Sequence, residues 1–168
     1  RENYVRHSLG RPAIGKAGEV YQYSNAGYAV LSHVAEKITG RPYEELVRDL
    51  IFKKLNMNHS FIGRDNLPQG TPSGHVRQGG HISTMNIGGP LEVMMAGAGG
   101  GCYMTPEDLI KFATEHLKGL QGRDGILKAA TIKELHEGIN EPGNDRFKYA
   151  CGWGIQESPV TEESHGHN

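Results

Sequence analysis

Tyr21-Gln22-Tyr23-Ser24-Asn25-Ala26-Gly27-Tyr28-Ala29-Val30-Leu31 is the most informative stretch of this chain. A tyrosine stands two residues before an asparagine where an irregular lead-in gives way to a helix, and Asn25 is expected to cap that helix. A phenol and a carboxamide at one helix mouth suit acyl transfer, in which one group moves protons and the other positions an amide or ester. Downstream, Leu31, Val34, Ala35 and Ile38 recur at three- and four-residue steps until Gly40. That spacing predicts a helix over 25–39 with one buried stripe. Upstream, Gly10, Pro12 and Gly15 break any period, so residues 1–24 are expected to be irregular.

Further along, Pro42 sits where a second helix can begin, with Leu46, Val47, Leu50, Ile51 and Leu55 continuing it and Met57 and Phe61 closing its packing face. From Gly63 to Gly101 the chain reads as mostly loop, and 64–90 is polar and rich in Gly and Pro, as functional loops are. Gly97-Ala98-Gly99-Gly100-Gly101 fits no nucleotide loop: Cys102 stands where the dinucleotide fingerprint needs glycine, and no Gly-Lys-Ser/Thr follows. The better reading is a tight turn that lets backbone pass close to a helix. Thr105-Pro106-Glu107-Asp108 is a helix start, with Leu109, Phe112, Ala113 and Leu117 as the expected buried face. A short helix is expected over 129–137. Phe147, Tyr149, Cys151, Trp153 and Ile155 then alternate as a strand, and a turn at Ser158-Pro159 leads to a returning strand over 162–168. Such a hairpin needs a larger sheet. The organisation is therefore α+β and mostly helical: a helical domain over 1–146 containing the loop 63–101, and an incomplete β portion over 147–168.

At 168 residues the chain fits one domain with a real core. Eighteen Lys+Arg against 19 Asp+Glu leave a net charge of -1, which predicts no capture of nucleic acid or of an acidic membrane. No apolar run approaches the roughly 20 residues of a membrane span. The chain opens on Arg1 rather than Met, so the true N-terminus is expected to lie upstream and an export signal is not readable from this sequence. Cys102 and Cys151 are expected to be buried free thiols rather than a disulfide. Among nine histidines, His165 and His167 would share a strand face, and His75 and His81 could join them. Without a cysteine or carboxylate at ligand spacing, solvent-exposed histidines are the expected reading, with no metal and no cofactor.

The stretch 21–31 resembles the second motif of the serine β-lactamase and penicillin-binding-protein superfamily, in its branch of class C β-lactamases, D-Ala-D-Ala carboxypeptidases and related esterases. The resemblance continues through Ile38-Thr39-Gly40-Arg41-Pro42-Tyr43-Glu44-Glu45-Leu46 and Ile51-Phe52-Lys53-Lys54-Leu55-Asn56-Met57, where Lys54 and Asn56 depart from the family's Pro-Leu-Gly-Met. It extends to Ala98-Gly99-Gly100-Gly101 through Leu109, to Tyr149-Ala150-Cys151-Gly152-Trp153-Gly154, and to Gly166-His167-Asn168, which is similar to the start of the Lys/His-Thr/Ser-Gly motif.

The resemblance implies the helical domain of that fold with the first strands of its antiparallel sheet, and an acyl-enzyme mechanism at a serine activated by Ser-x-x-Lys. It implies Tyr23 for proton transfer, Asn25 for holding the lysine or the substrate's amide, and His167 for an anionic or polar part of the substrate. Asn168, Gly100 and Gly101 are the implied substrate-binding positions. Substrates of the class are small acyl compounds: a β-lactam, a D-Ala peptide or an ester. The family also implies a bacterial periplasmic or extracellular setting. Yet no serine here has lysine three residues on, so the nucleophile is expected upstream of Arg1. Two readings follow: a piece of a serine acyl hydrolase that is inactive alone, or a non-catalytic binding or structural module that keeps the fold. Uncovered strand edges predict a homo-oligomer.

Overall fold

Glu2 at the amino end of the first helix, α1 (Glu2–Leu9), and Arg6 and His7 at its carboxyl end match the helix dipole, and Glu2 pairs with Arg6 at 3.0 Å. Residues 1–24 were expected to be irregular; the breakers from Gly10 onward end this helix rather than prevent it, and buried Val5 anchors it. The computed structural model describes residues 1–16, 19–85, 98–141, 144–156 and 164–166. The chain is 43% helix and 15% strand, an α+β architecture dominated by helix. Two units divide it, one of Arg1–Pro12 with Tyr23–Leu109, the other of Ala13–Gln22 with Ile110–Asn168.

In the first unit, α2 (Asn25–Thr39) packs against α1 and against α3 (Tyr43–Val47). It stops at Gly40, whose φ of 67° is left-handed and whose N–H reaches the Glu36 carbonyl at 2.8 Å. The Arg1 guanidinium pairs with Glu36 of α2 and Glu44 of α3. The expected apolar stripe of α2 does not face this packing. Ala29 and Ser32 are buried, while Leu31, Val34 and Ile38 are exposed. Small side chains make the contact, and the Ser32 hydroxyl is satisfied by donating to the Ala29 carbonyl at 2.8 Å.

The second helix differs from its expected regular form. After α3 the chain takes a π-helical turn over Arg48–Phe52, in which Lys53 N–H donates to the Arg48 carbonyl at 2.9 Å. One extra residue per turn rotates the following face by about 100°, so Phe52 is buried where the regular period points to Leu50. On the exposed side, Lys53, Arg48 and Arg41 surround Asp49 and hold its carboxyl well below the usual range.

β1 (Ser60–Ile62) pairs antiparallel with β4 (Cys102–Met104), Ser60 opposite Met104. Between them, part of the expected loop is a hairpin of β2 (His75–Gln78) and β3 (His81–Thr84). Its two-residue turn is Gly79-Gly80, with φ of 57° and 84°, the left-handed pair that suits the twist of a hairpin.

α4 (Pro106–Leu120) begins as expected, with Thr105 Oγ1 accepting the Asp108 N–H at 3.3 Å. Its expected buried face is displaced: Asp108, His116 and Gly119 are buried and Phe112 half-buried, whereas Leu109, Ala113 and Leu117 are exposed. In the second unit the bare Gly119 brings α4 against Ile132 of α5 (Ala129–Leu135), where an added Cβ would lie 2.6 Å from the isoleucine side chain.

The sheet of the second unit has four antiparallel strands in the order β5 (Ile139–Glu141), β6 (Asn144–Tyr149), β7 (Gly154–Gln156) and β8 (Ser164–Gly166). The alternating run 147–155 is thus not one strand. A turn closes between β6 and β7, with Ala150 N–H on the Trp153 carbonyl at 2.8 Å and Gly152 at φ 86°. Cys102 and Cys151 are free thiols as expected, but exposed rather than buried.

Candidate active site

Tyr23 lies in the irregular lead-in to α2 with 53% of its surface exposed. Ser24 is the helix cap. Its backbone is extended (φ -151°, ψ 105°) and its hydroxyl accepts the Gly27 N–H at 3.0 Å. A cap needs non-helical backbone and a short oxygen that reaches the first turn, and Ser24 meets both conditions. Asn25, expected to be the cap, is instead the first helical residue, so its carboxamide is not committed to the cap. Tyr23 and Asn25 therefore flank the cap, one in the irregular lead-in and one on the first turn.

The glycine turn braces this corner. A Cβ on Gly99 would stand 2.7 Å from the Asn25 carbonyl oxygen and 3.3 Å from its carbonyl carbon, so only a residue without one fits here. Gly101, at φ 74°, accepts the Gly63 N–H at 2.8 Å and ties the turn to the end of β1. The reading of this cluster as backbone passing close to a helix is what the chain does. It places Gly100 and Gly101 in a turn beside the start of α2. Gly99→Ala is expected to cost about 1–3 kcal/mol by forcing backbone apart, seen as a lowered thermal midpoint; an unchanged midpoint would refute the close approach.

His167 and Asn168 lie outside the described residues. A cavity of about 230 Å³ in the first unit is lined by Leu67, Pro68, Thr71, Pro72, Met85 and Tyr103, among others, and includes neither Tyr23 nor Asn25. Among the described residues no group of three or more His, Cys, Asp or Glu is placed to hold a metal ion. No helix among them is long and apolar enough to cross a membrane. His75 and His81 are exposed as expected, while His116 and His136, which the sequence reading did not single out, are buried. His116 lies at four-residue steps from Phe112 and Asp108, and a search for apolar periodicity passes over the two polar members of that row.

The fold is shared with penicillin-binding proteins. The chain superposes on a penicillin-binding protein from Bacillus halodurans with a TM-score of 0.77 at 23% identity, covering 94% of this chain and 47% of that one. The octameric penicillin-binding protein homologue from Pyrococcus abyssi gives 0.76 at 24% identity, covering 92% and 34%. In sequence the chain is 28% identical over 141 residues to Penicillin-binding protein 4 of Amycolatopsis lactamdurans, covering 80% of this chain and 36% of that protein. It thus spans about a third of that relative's length. The Beta-lactamase family model matches residues 3–168, and the chain belongs to that family.

Proposed function

We propose that this chain supplies the Tyr-x-Asn portion of a serine acyl hydrolase of the β-lactamase, D-Ala-D-Ala carboxypeptidase and esterase type. In this reading Tyr23 carries a proton between the nucleophile and the leaving group, and Asn25 holds the scissile amide or ester. His167 binds an anionic or polar substituent, with Asn168, Gly100 and Gly101 along the substrate. The observation that carries the reading is the corner at α2: a half-exposed Tyr23 and a braced Asn25 on either side of the Ser24 cap. The substrate is a small acyl compound, and the serine belongs to a Ser-x-x-Lys segment that this sequence does not contain. Incubated alone with a chromogenic β-lactam and an aryl ester, the chain is expected to give neither a burst nor steady turnover. Hydrolysis that survives Tyr23→Phe would place the chemistry elsewhere.

A second reading is a binding or structural module that keeps the fold without catalysis. Substrate analogues titrated into the labelled chain discriminate: amide shifts confined to residues around Tyr23 support a retained pocket, and no shift anywhere supports a structural role. Self-association is part of either reading, because among the described residues β5 and β8 end the strand order and offer edges for pairing. A monodisperse monomer in light scattering at high concentration would remove it.

A further inference from the structure

The second unit contains a buried pair of imidazoles. His116 Nδ1 on α4 lies 2.8 Å from Nε2 of His136, the residue that ends α5, and their rings meet edge to face at 5.1 Å. Only 9% of His116 and 6% of His136 is exposed. Trp153, in the turn before β7, completes the cluster: its ring centre is 5.0 Å from that of His116 and 4.7 Å from that of His136. Phe112, one turn earlier on α4, stacks parallel to Trp153 at 6.3 Å and lies 4.5 Å from His116. Three segments distant in sequence thus meet through rings, with the imidazole–imidazole bond among them.

The bond restricts the charge the pair can carry. With both imidazoles neutral, one N–H donates to the other ring's bare nitrogen, whichever ring holds the shared proton. One added proton leaves a donor and an acceptor facing each other and keeps the bond, although the charge is then desolvated among aromatic rings. A second proton puts N–H against N–H at 2.8 Å between two like charges, and the bond cannot survive. We propose that the His116–His136 pair is an acid-operated latch, closed while the two rings carry at most one positive charge between them and opened by the second, releasing α4, α5 and the Trp153 turn from one another.

Among the described residues, charged and titratable groups near the pair come from several elements. On α4, Glu115 is the carboxylate that acts on His116, and it is already engaged by the Ile126 N–H and by Lys118 at 3.9 Å. On α5, Lys133 and Glu134 precede His136, and Glu137 follows it. β6 contributes Lys148, whose Cβ lies 2.6 Å from a Cβ built on Gly138. The turn beside Trp153 contributes the Cys151 thiol, next to a backbone N–H that donates to the Leu135 carbonyl at 3.2 Å. Burial, opposed by Glu115, pushes the pKa of His116 below its ordinary 6.5. The sign follows. The unfolded chain takes up protons first, so the pair's contribution is complete above about 6.5 and is lost progressively as pH falls below it.

Trp153 is the chain's single tryptophan and therefore reports on the latch. Its fluorescence and the unfolding equilibrium in urea are followed from pH 8 to pH 4, in the wild type and in His136→Gln, which keeps an acceptor for the His116 ring. In the wild type the fluorescence change and the loss of stability should coincide. The unfolding constant should rise by more than tenfold per pH unit, approaching about a hundredfold, because more than one proton is taken up. In His136→Gln the slope should fall to about tenfold or less. Nitrogen chemical shifts of the imidazoles in the wild type keep the test independent of the variant's folding. Two histidines titrating independently near their ordinary pKa, or a one-proton slope that His136→Gln leaves unchanged, would overturn the latch.

Discussion

Asp108→Ala is expected to destabilise the chain by about 3–5 kcal/mol, as for removing one partner of a buried charged hydrogen-bond network. Asp108 has no exposed surface, and its Oδ2 accepts the His59 N–H at 2.7 Å and the Ser60 hydroxyl at 3.0 Å. Alanine would strand both donors in the interior and leave a cavity beside the first turn of α4. The substitution also removes an acidic group from the positive end of that helix. The carboxylate fastens the start of β1 to α4, while β1 is fastened again by its pairing with β4, Ser60 opposite Met104. Because the chain runs directly from the Gly99–Gly101 turn into β4, loosening this anchor should also slacken the turn that braces Asn25. Urea unfolding followed by circular dichroism measures the loss, with Asp108→Asn, which keeps an acceptor oxygen, expected to fall between. A loss below roughly 1 kcal/mol for alanine would mean that water replaces the carboxylate and no anchor exists.

Some of this was legible in the sequence, and the reason differs from element to element. The helix starts at Asn25 and Pro106 were legible, and Thr105 caps the second as expected, whereas the cap of the first is Ser24 and not the expected Asn25. Gly99 was legible too, since dense glycine has few structural uses besides close approach. The buried faces were not. Leu31, Val34 and Ile38 form an apolar stripe by spacing, yet in the first unit α2 is buried through Ala29 and Ser32. Periodicity reports where apolar residues lie, not which neighbour the helix meets. The π-turn at Arg48–Phe52 has no marker in composition, and one extra residue rotates everything after it. Nor could counting histidines reveal His116 and His136, which lie 20 residues apart and are joined only by tertiary packing. The hairpin turn Gly79-Gly80 is different: its signal was present and was masked by the polar, exposed strands on either side.

In a full-length protein that carries a Ser-x-x-Lys segment together with this chain, Tyr23→Phe is expected to reduce acylation by about 10²–10⁴-fold, the usual contribution of a positioned acid–base group. The substitution removes one oxygen from a ring that is half exposed, so stability should change by no more than about 0.5 kcal/mol. That separation between activity and stability is the diagnostic. A structural tyrosine would lose both or neither, whereas a proton carrier loses rate alone. The proposed role further predicts that the loss appears in kcat rather than in KM, because the hydroxyl acts on the proton in transit and not on the bound ground state. Asn25→Ala should behave differently. Its carboxamide is assigned to holding the substrate, so KM should rise along with a smaller fall in kcat, while Ser24 keeps the helix capped through its 3.0 Å bond to Gly27. Single-turnover kinetics with a chromogenic β-lactam or an aryl ester separate the two effects. Equal acylation rates in the wild type and in Tyr23→Phe, with both proteins equally folded, would remove Tyr23 from the chemistry and favour a module that binds without turning over.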